Sequence, residues 1–316
     1  MSFALLFAGQ GTQHAAMLPW LEQEPLCQPA LQSMVRATGA AWRAALSDAN
    51  TRSSNVFAQA LITGTSLAAW DAVRQHLVAA WAQEGAGSDG HPQVVAGYSV
   101  GELAAFAAAG VLDTADAICL ALRRATLMDA AVADVATGLL SVSGIAIDRV
   151  LAQDARLDCA IHLSADHGIY AAETQVLDAS AAMLAALGGI CKRLEVRVAS
   201  HSRWMATAAT RFAEVLQAQR WSGATCPVVL DATGTSTRQL PVLQLGLAQQ
   251  LCSTVQWAAC MDAIAETGVH CVMEVGAGSA LSAMWNARHP HIPARSLEDF
   301  RDAQGAARWL ARHQAA

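Results

Sequence analysis

Gly97-Tyr98-Ser99-Val100-Gly101 is the segment of this chain whose residue types and spacing are best suited to catalysis. It follows the apolar run 94–96 and precedes an alanine-rich run that starts at Leu103. A Gly-x-Ser-x-Gly turn between a strand and a helix is typical of a nucleophile elbow, in which the serine hydroxyl stands clear of the backbone. The N-terminus of the following helix offers N–H groups to a developing oxyanion. We therefore predict that Ser99 is a nucleophile.

His201 is the histidine best placed to act as a base for this serine. It lies in Val198-Ala199-Ser200-His201-Ser202, where a predicted strand ends and a helix begins. Open α/β folds place their chemistry at the carboxyl ends of such strands. By itself a histidine at this position would be a structural cap. Its pairing with the predicted elbow favours a general base.

An acid to complete a triad is missing from the expected place. An α/β-hydrolase has the order serine, acid, then histidine near the C-terminus, whereas this chain continues from His201 to residue 316. Asp154, Asp158, Asp166 and Asp178 lie between Ser99 and His201, but all four fall in a separate predicted subdomain. This order argues against an ordinary lipase or esterase.

Two glycine-rich segments follow predicted strands without completing a dinucleotide-binding fingerprint. Gly9-Gln10-Gly11 lacks the third glycine, and Gly276-Ala277-Gly278 lies too near the C-terminus for a following βαβ unit. The first segment could instead donate a backbone N–H to an oxyanion hole beside the elbow.

Alternating strands and helices predict a parallel sheet with helices on both faces. The predicted buried strands are 3–7, 93–98, 227–231 and 270–275, and the predicted long helices are 55–83, 101–109, 114–131, 202–218 and 257–267. The segment Glu84 to Gly90 is predicted to be a surface loop.

The middle of the chain has a different pattern. It predicts strand 139–144, helix 146–153, strand 158–164, strand 168–177, helix 178–188 and strand 190–198. This βαββαβ order is typical of a ferredoxin-like unit. The predicted fold class is therefore α/β, with a parallel-sheet, α/β-hydrolase-like large domain (1–134 and 199–316) and an inserted ferredoxin-like subdomain (135–198).

Composition limits the possible classes of protein. Of the 316 residues 54% are hydrophobic and 15% charged, which supports a large core and argues against disorder. The net charge of −6 gives no indication that the protein binds nucleic acid. Eight scattered cysteines without a C-x-x-C pair indicate a reducing, cytoplasmic setting. No uninterrupted apolar run reaches the ~20 residues of a membrane span, and we expect no membrane partner, metal site or bound cofactor.

Taken together, these segments resemble the malonyl-CoA:acyl-carrier-protein transacylase family over essentially the whole chain. Residues 7–13 are similar to its Phe-Pro-Gly-Gln-Gly segment, and 97–102 to its Gly-His-Ser-x-Gly-Glu elbow. Residues 124–128 are similar to its Arg-x-x-x-Met helix, and 199–201 to its Pro-Ser-His. The similarity continues at 250–251, 255–257 and 274–278. Each match is short, but in register together they are highly specific.

The resemblance implies a role for each matching residue. Ser99 would carry the acyl group as an ester, and His201 would activate first the serine and then the acceptor thiol. The main-chain carbonyl of Gln250 would orient His201, which accounts for the missing acid. The backbone N–H groups of Gln10 and Val100 would form the oxyanion hole.

Arg124 would hold the free carboxylate of a malonyl group through a bidentate pair. Its neighbour Arg123 is expected at the surface, because the spacing to Met128 selects Arg124. The resemblance thus implies malonyl-CoA as substrate and an acyl carrier protein as partner, with a phosphopantetheine or dephospho-CoA-type thiol as acceptor.

Several positions depart from the family pattern. Tyr98 replaces the histidine of the elbow, Ala8 and Ala277 replace prolines, and Ile169 and Ala171 occupy the places of an Asn-x-Asn pair. Tyr98 and residues 172–175 look most like the malonyltransferase subunit of bacterial malonate decarboxylase. Small residues before His201, Ala199 and Ser200, leave methylmalonyl open as a substrate.

Three alternatives remain open at this point. The chain could be a fatty-acid-synthesis transacylase, a serine hydrolase or thioesterase that uses the same Ser-His pair, or a non-catalytic relative that only binds a carrier. The intact Ser99, His201 and Arg124 set argues against the last. Lys192 and Arg193 could meet an acidic carrier, although a solvated surface is the favoured interpretation.

Overall fold

The computed structural model describes residues 2–83 and 90–313. The described residues contain the following strands: β1 (Phe3–Phe7), β2 (Val94–Gly97), β3 (Thr137–Ser143), β4 (Asp158–Ser164), β5 (His167–Glu173), β6 (Ile190–Arg193), β7 (Val228–Leu230), β8 (Thr235–Thr237), β9 (Cys271–Val275) and β10 (Ala294–Ser296). They form a large sheet of order β10-β9-β1-β2-β7-β8 and a small sheet of order β4-β5-β3-β6.

Helices cover both faces of the large sheet and one face of the small one. Their bounds are α1 (Gln28–Thr38), α2 (Trp42–Ala45), α3 (Ala49–Ser53), α4 (Asn55–Gln83), α5 (Gly101–Ala108), α6 (Thr114–Ala131), α7 (Ile147–Gln153), α8 (Thr174–Ala186), α9 (Ala206–Gln217), α10 (Leu240–Gln249), α11 (Trp257–Ala265), α12 (Ala280–Arg288) and α13 (Ala303–Arg312). Short 3₁₀ turns lie at Pro25–Cys27, Arg203–Met205 and Leu297–Asp299.

The large sheet is parallel from β10 to β7, and only its edge strand β8 runs antiparallel. β1 and β2 are buried along their whole length, as expected for parallel strands covered on both faces. The segments after β1, β2 and β7 therefore meet at one carboxyl edge, which brings the predicted elbow beside the first glycine-rich segment.

The small sheet is antiparallel, and its strands all come from the middle of the chain. Its βαββαβ sequence and strand order are those of a ferredoxin-like unit. The predicted fold class is confirmed, whereas the domain limits at 135 and 198 stay a prediction.

Two predicted strand ends in the small sheet are wrong. β5 ends at Glu173 rather than 177, because its partner β3 begins opposite that residue and offers no ladder beyond it. β6 ends at Arg193 rather than 198, because the chain then leaves β3 towards the large sheet.

The helix predicted at 202–218 begins instead as a 3₁₀ turn, with α9 starting at Ala206. The predicted loop at 84–90 lies, apart from Gly90, outside the described residues.

α4 is long and apolar enough, by length and composition, to cross a membrane. The sequence prediction considered only uninterrupted apolar runs. It missed α4 because polar residues such as Gln59 and Asp71 interrupt the apolar run within this helix. Of its apolar window, 83% is buried inside the protein. Contacts with α1, α5, α6 and α13 cover it, so α4 is the central core helix of the large domain.

The turn between β2 and α5 depends on two glycines. Ser99 adopts a left-handed backbone with φ of 55°, which costs a non-glycine residue free energy. A Cβ on Gly97 would collide with the backbone of Gly101, and a Cβ on Gly101 would collide with the Phe7 carbonyl oxygen. Strand and helix thus approach too closely for any side chain at these positions.

We predict that Gly101→Ala lowers the free energy of unfolding by roughly 3 kcal/mol, because the added methyl group forces β1 and α5 apart. Urea denaturation measures this loss. Gly223→Ala is the matched control, since its Cβ meets no atom within 4 Å, and it should change stability by no more than about 0.5 kcal/mol. Equal effects of the two substitutions would contradict the close approach at the turn.

Candidate active site

Ser99 and His201 lie in hydrogen-bond contact at the carboxyl edge of the large sheet. The distance from Ser99 Oγ to His201 Nε2 is 2.7 Å. The turn after β2 presents the serine, and the connection between the small sheet and α9 presents the histidine. The two residues that the sequence paired across 102 positions are therefore adjacent in the structure.

The backbone near Gln250 fixes the orientation of His201. His201 Nδ1 lies 2.7 Å from the Gln250 carbonyl oxygen, and the His201 backbone N–H donates to the Leu251 carbonyl at 2.9 Å. Because a carbonyl oxygen only accepts, the proton of the neutral ring is on Nδ1. This leaves the lone pair of Nε2 to accept the serine proton. His201 holds this position with φ of 60°.

The imidazole is kept neutral by its surroundings. Burial, reinforced by the positive charge of Arg124, lowers the pKa of His201 to about 3, against the opposing hydrogen bond to the Gln250 carbonyl. His201 is 2% exposed. A ring that stays neutral at every physiological pH is always ready to accept the serine proton.

Arg124, from α6, is a fully buried cation beside the serine. Its Nη2 lies 3.3 Å from Ser99 Oγ and donates to Gln250 Oε1 at 2.8 Å. Its Nη1 donates to Gln59 Oε1, also at 2.8 Å. Burial lowers the pKa of Arg124 to about 10, which still leaves it charged at neutral pH.

The charge of Arg124 has no direct counterion. Within the described residues no carboxylate oxygen lies within 4.0 Å of its guanidinium. Its Nε is buried and has no hydrogen-bond partner among the residues that the structure describes. A buried guanidinium held only by neutral amides is a ready binding site for an anionic group.

The side-chain amide of Gln250 connects this cation to the nucleophile turn. While its oxygen accepts from Arg124, its Nε2 donates to the Ser99 carbonyl at 2.8 Å and to Glu102 Oε2 at 2.7 Å. A longer contact of 3.2 Å reaches Asp231 Oδ2. Gln250 thus contacts the base through its carbonyl and the cation through its side chain.

A cavity of about 90 Å³ opens onto Ser99 and Arg124. Its walls come from strands of the small sheet, from segments outside the strands and from α4 and α6. The other residues that line it are Gln10, Asn55, Gln59, Tyr98, Met128, Leu139, Ile161, Ile169, Leu194, Val196, Val198, Ser200 and His201. Of the two positions that depart from the Asn-x-Asn pattern, Ile169 is on the wall and Ala171 is in the core. Tyr98 packs edge-on against Trp257, with ring centroids 5.1 Å apart.

Of the two predicted oxyanion-hole residues, Gln10 lines this cavity and Val100 is next to Ser99, at the N-terminus of α5. Neither backbone N–H has a hydrogen-bond acceptor in the part of the chain that the structure describes. Both donors are thus free for a ligand, as an oxyanion hole requires, and their role stays a prediction.

Several functional candidates were missed by the sequence interpretation. Gln59 and Asn55 form a buried polar pair on α4, with Gln59 Nε2 donating to Asn55 Oδ1 at 2.7 Å. Their i, i+4 spacing within an apolar helix was the available signal. Glu102 and Asp231 are also buried beside Ser99. Glu102 directly follows the elbow, and Asp231 is the last residue of the predicted strand 227–231.

Other charged residues lie elsewhere. Arg123 is exposed while Arg124 is buried, as their spacing to Met128 predicted. Asp154 pairs with Arg156, and Asp158 pairs with Arg203, so neither contacts His201. On β6, Lys192 is exposed, and Arg193 lies 3.7 Å from Asp178.

The chain is similar to known proteins over most of its length. The model of the family described as "Acyl transferase domain" matches residues 4–289. The malonyl CoA-acyl carrier protein transacylase of Mycobacterium bovis is 29% identical, over 95% of this chain and 97% of the relative. The protein of that name from Salmonella typhimurium is 28% identical, over 89% and 91%.

Solved structures extend the comparison to the fold. FabD from Acinetobacter baumannii superposes with a TM-score of 0.85 at 27% identity, covering 100% of this chain and 99% of the other. The malonyl-transacylase PlMCAT, in a complex with a type II PKS acyl-carrier protein, superposes with a TM-score of 0.84 at 25% identity, covering 97% and 99%.

The lowered pKa of His201 leads to a testable pH dependence. A neutral phosphonate ester that reacts with Ser99 should label it at nearly the same rate from pH 7.5 to pH 5, because the ring stays neutral over this range. A histidine with the ordinary pKa would slow the reaction roughly thirty-fold over the same interval. Stopped reactions quantified by mass spectrometry give the rate. A decline with a midpoint near pH 6.5 would contradict the buried, neutral ring.

Proposed function

The chain belongs to the acyl transferase domain family, and we propose that it transfers a malonyl group from malonyl-CoA, through an ester on Ser99, to the thiol of an acyl carrier protein. The relatives named above are malonyl CoA-acyl carrier protein transacylases, which supports this choice of donor and acceptor. The roles of the individual residues are argued from their contacts.

Arg124 is the observation that carries the proposal. Its guanidinium lies 3.3 Å from Ser99 Oγ, is 1% exposed and is bonded only to neutral groups. A malonyl ester on Ser99 places a carboxylate a few bonds from the serine oxygen, within reach of this cation. An acetyl group would leave the cation without a counterion. Binding of the carboxylate therefore selects a dicarboxylic acyl group.

The first half-reaction needs only groups already in place. Ser99 Oγ attacks the thioester carbonyl and forms the new C–O bond, while its proton passes to His201 Nε2. The C–S bond then breaks, and the coenzyme A thiolate takes the proton from the imidazolium. The N–H groups of Gln10 and Val100 would stabilise the tetrahedral oxyanion between these steps.

The second half-reaction is the reverse with a different thiol. His201 removes the proton of the carrier thiol, the thiolate attacks the malonyl ester, and Ser99 leaves with the proton returned from His201. The Gln250 carbonyl takes the place of a triad carboxylate, because it orients the ring in both directions of proton transfer. Ping-pong kinetics follow from the shared acyl-enzyme.

The finer proposal concerns the carrier. Tyr98 and the segment 172–175 resemble the malonyltransferase subunit of bacterial malonate decarboxylase, whose carrier bears a dephospho-CoA-derived thiol. Tyr98 lies on the wall of the cavity against Trp257, where it can influence which thiol reaches Ser99. We propose this type of carrier as acceptor, and a phosphopantetheine carrier as the alternative to compare it with.

The expected outcome of mixing the enzyme with labelled malonyl-CoA is one malonyl group on Ser99, absent in Ser99→Ala. Carrier proteins bearing either prosthetic group are then added to the isolated acyl-enzyme, and transfer is followed by intact-protein mass spectrometry. Carrier thiol should remove the label at least about 100-fold faster than buffer, since the acyl-enzyme of a transferase resists water.

The rates of transfer to the two carriers distinguish the possible functions of the enzyme. Faster transfer to the dephospho-CoA-type carrier supports the malonate decarboxylase assignment, and faster transfer to the phosphopantetheine carrier supports a fatty-acid or polyketide role. Rapid loss of label that is independent of any thiol would contradict the transferase proposal and indicate a hydrolase.

A further inference from the structure

Two acidic residues, Glu102 and Asp231, lie directly behind the nucleophile and take no part in the steps above. Both side chains have no exposed surface. Among the described residues neither carboxylate has a cation within 4.0 Å. Buried acids without a counterion are costly, so the contacts that this pair makes need an explanation.

The contacts of the pair form a closed circuit around the serine. The Ser99 N–H donates to Asp231 Oδ2 at 2.6 Å, and the Asp231 N–H donates to Glu102 Oε1 at 2.9 Å. Gln250 Nε2 then joins Glu102 Oε2 to the Ser99 carbonyl. Both backbone polar groups of Ser99 are thus held by this circuit, since its carbonyl also accepts the Glu102 N–H at 3.0 Å.

This hydrogen-bond circuit holds a residue whose backbone is strained. Ser99 keeps a left-handed φ of 55°, which a serine adopts only where its surroundings enforce it. The same Gln250 amide also bonds Arg124 at 2.8 Å. A displacement of Asp231 would therefore release the serine turn.

We propose that Asp231, backed by Glu102, is a positioning residue that acts as a neutral hydrogen-bond acceptor and holds Ser99 in its reactive conformation. This inference rests on the proposed acyl transfer only in that Ser99 is the group that reacts. The residue acts through the serine turn, because no atom of Asp231 lines the cavity.

The groups that face Asp231 favour its neutral form. These are Glu102 from α5, Arg124 from α6, the Cys260 thiol from α11 and the Tyr98 phenol from the elbow. Burial and the proximity of Glu102 raise the pKa of Asp231 well above its usual range, against the opposing effects of the Ser99 N–H and Arg124. Burial raises the pKa of Glu102 to about 8.

An amide fits the place of the Asp231 carboxyl group. Asp231 Oδ2 accepts the Ser99 N–H, whereas Oδ1 has only the Cys260 sulfur at 3.9 Å. The side chain introduced by Asp231→Asn can therefore put its oxygen towards Ser99 and its NH₂ group towards the thiol. Glu102 offers no such choice, because both of its oxygens accept N–H groups.

The test compares Asp231→Asn and Asp231→Ala by the rate at which a neutral phosphonate labels Ser99, and by kcat and KM with malonyl-CoA. Asp231→Asn should stay within about threefold of the wild type from pH 6 to pH 8, because it preserves a neutral acceptor. Asp231→Ala should label about 100-fold more slowly, since the serine is misplaced. Its loss should be in kcat, with KM for malonyl-CoA nearly unchanged.

Glu274→Ala is the matched control for loss of a buried carboxyl group. Glu274 is also fully buried, and it accepts the backbone N–H groups of Leu281 and Ser282 at the start of α12, away from the cavity. This variant should unfold at lower temperature but label Ser99 within about threefold of the wild-type rate per folded molecule, because it leaves the serine turn intact.

Each outcome bears on the inference. A large loss in folded Asp231→Asn would overturn it, because the carboxylate charge would then be required. Equal labelling by folded Asp231→Ala and wild type would overturn it as well. If Asp231→Ala does not fold, the Asp231→Asn comparison alone decides. Failure of malonyl transfer in the wild type with normal phosphonate labelling would contradict the proposed function and leave this inference standing.

Discussion

A buried guanidinium with no direct counterion is the constraint on which the rest of the site depends. Arg124 is held by the amide oxygens of Gln59 and Gln250, each at 2.8 Å. These neutral acceptors bind Nη1 and Nη2 without cancelling the charge, and Nε has no partner among the described residues, so the desolvation cost of burying the guanidinium is only partly offset. A bound carboxylate offsets this desolvation cost, and the site therefore selects an acidic acyl group.

Gln250, whose side chain helps to hold the cation, also connects the two catalytic candidates. Gln250 reaches His201 through its carbonyl at 2.7 Å and the Ser99 turn through its side chain at 2.8 Å. Ser99 and His201 both have positive φ, and the parallel sheet brings their segments together at one carboxyl edge. Buried hydrogen bonds hold both strained residues in place, and a backbone carbonyl takes the position of a third catalytic acid.

The fold class and the residues of the site motifs could be predicted from the sequence, but the hydrogen bonds that connect those residues could not. The elbow and His201 were identifiable from their positions at predicted strand ends, whereas Arg124 was identifiable only through the family resemblance. Asp231 was overlooked because it has no motif of its own, and its role arises only from the pairing of β2 with β7. The edge strands β8 and β10 span three residues each, which is too short for a recognisable pattern.

The most direct measurement of the central claim is the ratio of kcat/KM for malonyl-CoA to that for acetyl-CoA in Arg124→Ala and in the exposed neighbour Arg123→Ala. The account predicts that Arg124→Ala lowers this ratio about 100-fold or more, because only the malonyl group loses a charged, bidentate partner. Arg123→Ala should keep the wild-type ratio. An unchanged ratio in folded Arg124→Ala would contradict the account.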